Sequence, residues 1–348
     1  MEDDISIKDL FGMSCLHLAC GRGHPDVVRN LLRHLGDHEP ESALHEQVQA
    51  KDNRGWTPLH HACAHGQLAV CVALQEIMGG ELEVLGRTER GLTGLHLACL
   101  NGHVGVVGWL LGVNGIKDLG GEGLSKLVDD ENRSCLHAAA HGRHGDRSVQ
   151  CVESLLLAGH EIEVQDSFGR TPLFYSAGRS EEGGAAISTA LLASDASPNS
   201  IDNFERTVWH YWAGACDVES IRYALSRYQM TYSSEDVGSL LKEKDKRGGN
   251  LLHSACLAPS SEPSDLTEII RLVEDYVSIH EKDNLGRTPL LCACSSANPN
   301  ALEVFSEEGA DLFALDVQNR NALLLLLHSL NSLPSWRGEG GGGGGGGY

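Results

Sequence analysis

Apolar residues recur along this chain at helical spacing, in short blocks separated by polar turns. In one block, Leu59 and Ala62 point to one side of a first segment, and Val70, Leu74 and Ile77 follow at helical intervals in a second. Neither segment is long enough to form a stable helix alone in water. The pattern therefore predicts pairs of short helices that are held only while neighbouring pairs cover their apolar faces.

Turn and capping signals surround the same block. Asp-Asn-Arg-Gly, ending at Gly55, has the composition of a tight turn, because glycine can take positive φ. Thr57 is a helix N-cap with Pro58 at the first helical position, and Gly66 ends the first helix. Each unit should therefore contain a turn, a short first helix and a second helix.

The block returns nine times. Its heptads, such as Thr-Pro-Leu-His-His-Ala-Cys at 57–63, start at residues 14, 57, 93, 134, 171, 207, 250, 288 and 321, in steps of 33 to 43 residues. Heptads of this kind, each opening a unit near 33 residues, are similar to the ankyrin repeat. The resemblance extends over roughly residues 8 to 330. It implies an all-α ankyrin-repeat solenoid of about nine repeats, built from helix-turn-helix pairs with β-turn fingers.

The repetition predicts one elongated ankyrin-repeat domain over 1–330 and a disordered Gly-rich tail or linker over 331–348. The ninth unit lacks a second helix in its sequence, so the run Leu323–Leu327 should be partly bare. Three alternatives would explain the missing second helix and the Gly-rich sequence that follows. They are a truncated or mispredicted reading frame, a linker into a further domain, and a complete protein with a disordered tail.

Long steps between heptads mark insertions, which we expect to be loops because the stacked helices must keep their register. Within one insertion, Ser233 or Ser234 followed by acids resembles a helix start. Gly120–Gly123 is predicted to be a loop, because it lacks the Lys-Ser/Thr and the preceding strand of a phosphate-binding loop. Glu205 stands where the turn glycine is usual. The sequence therefore does not predict the geometry of the turn in the sixth repeat.

Charge narrows the possible partners. Lys and Arg total 27 against 48 Asp and Glu, a formal net charge of −21, which repels nucleic acid and anionic membrane surfaces. We expect a protein partner, with a basic one favoured electrostatically, and no small-molecule substrate, no cofactor and no direct membrane insertion. The N-terminus lacks the features of a secretory signal, and Cys20, Cys63, Cys99, Cys256 and Cys294 fall at small core positions of the repeat. These features predict a cytoplasmic protein, with a nuclear location as the alternative.

Aromatic residues are sparse and many lie in the fifth and sixth repeats. Phe168 and Phe204 share a turn-tip position that Leu285 occupies two repeats later, and Tyr175 and Tyr211 take the variable heptad position. By resemblance, that position faces the concave surface. We predict that Trp56, Phe168, Tyr175, Phe204, Tyr211 and Leu285 bind a protein partner, the alternative being packing or chance. Phe174 and Trp209 stand at motif positions of the core, and Trp212 replaces an alanine, which implies local repacking.

Histidine and cysteine could in principle form a metal site at 60–65, at 141–144 or at Cys292 and Cys294. None of these has the paired spacing of a structural zinc site, so no metal is expected. The motif histidines, at positions 17, 60, 96, 137, 210 and 253, are expected by resemblance to be neutral imidazoles that tie the turns of adjacent repeats by hydrogen bonds. No nucleophile elbow, kinase signature or metalloprotease motif occurs.

Three functions remain open at this stage. The first is a non-catalytic scaffold or adaptor that binds proteins on a concave face formed by turn tips and first helices. The second is the regulatory or substrate-recruiting region of a larger enzyme or channel. Direct catalysis by this chain is the third, and it would require turnover by the repeats themselves.

Overall fold

The computed structural model describes residues 7–38, 40–177, 183–257 and 262–332, and the chain divides into two compact units after Val208. The described residues are helical, with three isolated antiparallel bridges between single residue pairs and no β-strand. The predicted all-α fold is confirmed. The single domain over 1–330 stays a prediction, and the tail from 333 onward lies outside the described residues.

In its described residues, the first unit contains five helix pairs and two additional helices. The pairs are α1 (Cys15–Arg22) with α2 (Pro25–His38), α4 (Pro58–Ala64) with α5 (Leu68–Met78), α6 (Gly94–Leu100) with α7 (Val104–Gly112), α9 (Cys135–Ala140) with α10 (Asp146–Leu157), and α11 (Pro172–Ser176) with α12 (Gly184–Ala193); the additional helices are α3 (Glu41–Gln49) and α8 (Gly120–Ser125). Short 3₁₀ turns cover Gly79–Glu81 and Lys117–Leu119.

The second unit is also built from short helices, most of them arranged in pairs. Its helices are α13 (Val208–Gly214), α14 (Val218–Thr231), α15 (Ser234–Leu241), α16 (Leu251–Ala255), α17 (Pro263–Val273), α18 (Pro289–Ser296), α19 (Pro299–Glu307) and α20 (Ala322–Ser332). Ser233 caps α15, accepting the backbone N–H of Asp236, so the helix start inferred there is confirmed.

The core of each unit lies between stacked helix pairs. Leu59, Val70 and Leu74 are buried as the spacing predicts, whereas Ile77 is only half-buried. The five motif cysteines are fully buried, as predicted for small core residues, and Phe174 and Trp209 are also core. Trp212 is buried edge-on against Trp209, with ring centroids 5.2 Å apart, which is the local repacking expected there.

The prediction of a loop at Gly120–Gly123 is wrong. These residues begin helix α8, and Gly121 approaches the backbone of Gly159 so closely that an added Cβ would lie 2.1 Å from its carbonyl oxygen. Ser125 accepts the N–H of Glu161 at 2.8 Å and donates to the carbonyl of Gly121 at 2.9 Å. The glycines therefore permit a tight helix–turn contact, and the packing outweighs their low helix propensity.

The last helix is partly bare, as its sequence predicts. Leu325 is buried against α18, whereas Leu323, Leu324 and Leu327 are at least half exposed. No helix in the described part of the chain has the length and apolar character needed to cross a membrane.

Candidate functional site

Nine five-residue turns, which we call fingers 1 to 9, precede the first helices and begin at residues 9, 52, 88, 129, 166, 202, 245, 283 and 316. Eight begin with an aspartate whose Oδ1 accepts the backbone N–H groups two and four residues later, at 2.8–2.9 Å. Finger 3 begins with Thr88, whose Oγ1 accepts the N–H of Leu92 at 3.1 Å. Each finger is therefore closed by its own first side chain.

Neighbouring fingers are also joined within each unit. In the first unit, the second finger residue donates its N–H to the third residue of the preceding finger, for example from Asn203 to Phe168 at 2.8 Å. The same bond joins Asn284 to Arg247 at 2.8 Å and Val317 to Leu285 at 2.9 Å in the second unit. These backbone hydrogen bonds fix the distance between neighbouring fingertips, so the tip side chains within each unit lie in regularly spaced rows.

Finger 6 keeps this geometry despite its unusual fourth residue. Gly169 has φ +77° in finger 5, and Glu205 takes the same left-handed conformation in finger 6, with φ +61°. A side chain there is strained by about 1–2 kcal/mol. The bond from Asn203 to Phe168 and the closing bonds of Asp202 hold the turn in place, so the sequence departure does not change the turn.

An Asp–Arg pair recurs in the fingers and was missed by the sequence reasoning. In five fingers the fifth residue is an arginine that forms a 2.7 Å ion pair with the Oδ2 atom of the finger's buried aspartate; these are Arg133, Arg170, Arg206, Arg287 and Arg320. The spacing Asp-x-x-x-Arg was visible in the sequence. In fingers 5 and 6 the guanidinium group of the pair lies beside the ring of the third finger residue, Phe168 or Phe204.

Finger 5 adds two aromatic rings to its pair. The Arg170 guanidinium lies 4.8 Å from the ring centroid of Phe168 and 4.7 Å from that of Tyr175. The Tyr175 hydroxyl donates to Asp166 Oδ2 at 2.7 Å and accepts from Arg170 at 2.6 Å. Burial, together with the carboxylate of Asp166, raises the pKa of Tyr175. Its hydroxyl is therefore engaged inside the finger, and Phe168 is the ring that projects.

Finger 6 has a similar arrangement. Arg206 lies 5.0 Å from the ring centroid of Phe204. Phe204 is 53% exposed and Phe168 is 44% exposed, at equivalent positions of fingers joined by a backbone hydrogen bond. The structure therefore brings these two predicted residues together at adjacent tips.

Trp56 lies at the base of finger 2, where other fingers carry the paired arginine. Arg54 lies 4.6 Å from the Trp56 ring centroid, and the His61 ring lies 5.1 Å away. Without an arginine at this position, His61 Nε2 forms the hydrogen bond to Asp52 Oδ2, at 3.0 Å. Burial outweighs this bond and lowers the pKa of His61, so a neutral imidazole donates to the carboxylate.

The remaining predicted residues belong to the second unit. Tyr211 is half-buried in α13. Leu285 is half exposed at the tip of finger 8, and its carbonyl accepts the N–H of Val317.

The motif histidines hold fingers to first helices. Their Nε2 atoms lie 2.9–3.2 Å from backbone carbonyls of the next repeat, and since a carbonyl only accepts, each Nε2 is the donor. In the first unit, Nδ1 accepts the backbone N–H of the N-cap residue, as from Thr93 to His96 at 3.2 Å. Burial lowers the pKa of His60, His96 and His137 to about 4. The predicted neutral, structural role is confirmed for these three.

Two of the three candidate metal sites, at 60–65 and at Cys292 and Cys294, have local explanations. His60 bonds to Thr57 and to the carbonyl of Gly86, and His61 to Asp52. Burial raises the pKa of Cys292 to about 12 and that of Cys294 to about 11, which favours the thiol over the metal-binding thiolate. In the ranges that the structure describes, no three His, Cys, Asp or Glu side chains are grouped as metal ligands.

Comparison with known proteins supports this geometry. A family model described as ankyrin repeats, in three copies, matches residues 1–79, and two ankyrin repeat models match residues 90–117 and 131–167. The crystal structure of the human ASB11 ankyrin repeat domain is similar, with 25% sequence identity and a TM-score of 0.53, over 75% of this chain and 98% of that chain. This chain is an ankyrin-repeat protein. Ankyrin repeats are generally protein–protein interaction modules and are typically non-catalytic.

Proposed function

We propose that this ankyrin-repeat protein is a scaffold or adaptor that binds partner proteins on the face formed by its fingers and first helices. The observation that carries the proposal is the pair of exposed phenylalanines at the adjacent tips of fingers 5 and 6. Aromatic side chains, phenylalanine among them, are enriched at protein interfaces relative to the rest of the surface.

The two rings are held ready for binding. Each has an arginine guanidinium against it, and the Asp–Arg pair and the finger bonds fix that guanidinium. An aromatic side chain that is already ordered loses less conformational entropy on binding, so more of its contact energy appears as affinity. This preorganisation supports Phe168 and Phe204 as the main anchors of the proposed surface.

The other predicted residues fit supporting roles. Tyr175 orients Arg170 and can offer a partner only its ring, because its hydroxyl bonds to Asp166. Trp56 and Leu285 lie on other fingers, and with Tyr211 they would extend the contact within their own units. The cytoplasmic location of this protein and the possible basic character of its partner are part of the same proposal.

Exchanging both tip phenylalanines for alanine should remove the partner. We expect Phe168→Ala/Phe204→Ala to lower recovery of bound proteins from a lysate at least about tenfold, since an anchor aromatic contributes about 2 kcal/mol. Quantitative mass spectrometry of affinity captures with the intact chain and the variant measures this, with thermal unfolding to confirm that both are folded.

Leu157→Ala is the matched control. Leu157 is 89% exposed at the C-terminal end of α10, a second helix in the same unit and not part of a finger. Proteins lost with the phenylalanine variant but retained with this control are the partners that the proposal requires. Equal recovery by all three chains would show that the fingertips do not bind.

A further inference from the structure

Fingers 1 to 3 carry a row of cations in a strongly acidic protein. We call Lys8, Lys51, Arg54, Arg87 and Arg90 the basic strip, and all five side chains are exposed. Lys8, Lys51 and Arg87 immediately precede fingers 1, 2 and 3. Arg54 and Arg90 occupy the tip position that Phe168 and Phe204 take in fingers 5 and 6.

Regular hydrogen bonds order the strip. Lys8 Nζ donates to the carbonyl of Lys51 at 3.1 Å, and Lys51 Nζ donates to the carbonyl of Arg87 at 3.1 Å. Arg87 continues the series by donating to the carbonyl of Val128. Each cation is thereby held against the same position of the next finger, and its charge is not neutralised, because a carbonyl is uncharged.

The carboxylates of fingers 1 to 3 do not cancel this charge, and the Asp130 carboxylate of finger 4 lies beside Gly91 at the edge of the strip. Fingers 1 to 3 with their preceding residues contain five cations and three acids, Asp9, Asp52 and Glu89. Asp9 and Asp52 accept the N–H groups of their own fingers, and Asp52 is buried with His61. Within the described residues, Lys8, Lys51, Arg87 and Arg90 form no ion pair, and Arg54 Nε lies 3.9 Å from Asp52 Oδ2.

An apolar tip lies at one end of the strip. Leu10 is 95% exposed and Phe11 is 68% exposed in finger 1, and the N–H of Asn53 in finger 2 bonds to the carbonyl of Phe11 at 3.0 Å. A ligand that follows the strip would therefore meet cations along fingers 2 and 3 and an apolar surface at finger 1.

We propose that the basic strip binds an extended acidic segment of a partner protein, with an apolar side chain on Leu10 and Phe11. Packed helices lie about 10 Å apart and an extended chain advances about 3.3 Å per residue, so a carboxylate at every third residue meets one finger after another. This inference rests on the proposed function and identifies a second ligand region, separate from fingers 5 and 6. The net charge of −21 favours a basic partner for the surface outside the basic strip, whereas the strip itself attracts an acidic segment.

Fluorescence anisotropy with synthetic peptides tests the strip on the full chain. The probe peptide has glutamate at every third position, serine and glycine between, and phenylalanine at one end. We expect it to bind more tightly than an isomer with consecutive glutamates, to lose affinity as salt rises, and not to bind when lysine replaces glutamate. The double variant Arg54→Glu/Arg90→Glu should weaken binding about tenfold or more, because it places like charges against the peptide.

Arg247→Glu is the matched control, because Arg247 occupies the same tip position in a finger of the second unit and is exposed. Its peptide affinity should equal that of the unchanged chain. Absence of binding, an equal loss with Arg247→Glu, or no preference between the two isomers would overturn the proposal. Tighter binding of inorganic polyphosphate with the same variant dependence would also overturn it, assigning the strip to phosphate. Any of these results leaves capture through Phe168 and Phe204 unaffected, so the two proposals fail separately.

Discussion

Lowering the pH from 7.5 to 5.5 should destabilise the folded protein by about 4 kcal/mol. The cause is the set of buried, neutral motif histidines, whose imidazole rings donate from Nε2 and accept at Nδ1. Three of them, His60, His96 and His137, have pKa values of about 4 in the folded state. The unfolded chain has histidine pKa values of about 6.5, so it binds these protons first.

The sign follows from proton binding. Between pH 6.5 and 4 the unfolded state holds more protons than the folded state, so stability is complete above pH 6.5 and falls as the pH drops towards 4. Each of the three histidines contributes about 1.4 kcal/mol of this loss at pH 5.5. Burial also lowers the pKa of His17 and His253, which act in the same direction. Asp217 opposes them, because burial raises its pKa.

Urea unfolding at a series of pH values measures the effect. His96→Gln serves as the comparison, because glutamine can donate and accept hydrogen bonds but does not titrate. We expect its stability to vary less with pH than that of the unchanged chain, by about a third of the loss assigned to the three histidines. A stability independent of pH between 7.5 and 5.5, or NMR titration midpoints above 6 for the imidazoles of His60, His96 and His137 in the folded protein, would contradict the prediction.

Removing the carboxylate of finger 5 should cost about 3 kcal/mol of stability. Asp166 accepts two backbone N–H groups at 2.8 Å, two bonds from Arg170 at 2.7 and 2.9 Å, and the Tyr175 hydroxyl at 2.7 Å. Burial works to raise the pKa of this carboxyl, but the Tyr175 and Arg170 donors outweigh it and the pKa lies below its usual value. Asp166→Ala leaves these donors without their acceptor, which is costly for a partly buried cation.

Asp9→Ala is the matched control for this substitution. Asp9 closes finger 1 with the same two backbone bonds, at 2.9 Å, but it is exposed and Met13 stands in place of the arginine. We expect it to cost about 1 kcal/mol, as for the loss of a capping side chain. Equal losses in chemical unfolding of the two variants would show that the Arg170 and Tyr175 bonds add no stability.

The sequence predicted the helix pairs well because their information is local and repeated. Leu59 and Ala62, followed by Val70 and Leu74, show the spacing of one unit, and nine returns of the heptad exclude coincidence. The role of His96 followed from the resemblance of its heptad to the ankyrin repeat. Gly120–Gly123 was assigned wrongly because its helix depends on packing against Gly159, a contact distant in sequence.

The candidate surface was harder to predict because its key contacts join a turn to a helix. Phe168 and Phe204 were found from their shared position, yet the engagement of the Tyr175 hydroxyl by Asp166 required coordinates. The Asp-x-x-x-Arg spacing was a usable signal that was missed. The basic strip was not predicted because the net charge of −21 describes the whole chain and not its local distribution. A cation nevertheless stands directly before each of the first three fingers.

Recognition by the fingers is tested most directly by photo-crosslinking of a captured partner. A photoreactive phenylalanine analogue would replace Ser167, beside Phe168 at the tip of finger 5, or Leu157 on the second helix of the preceding pair. We predict a covalent product with the partner from position 167 and none from position 157. Crosslinking from position 157 alone would contradict binding on the finger face and place the partner on the second helices.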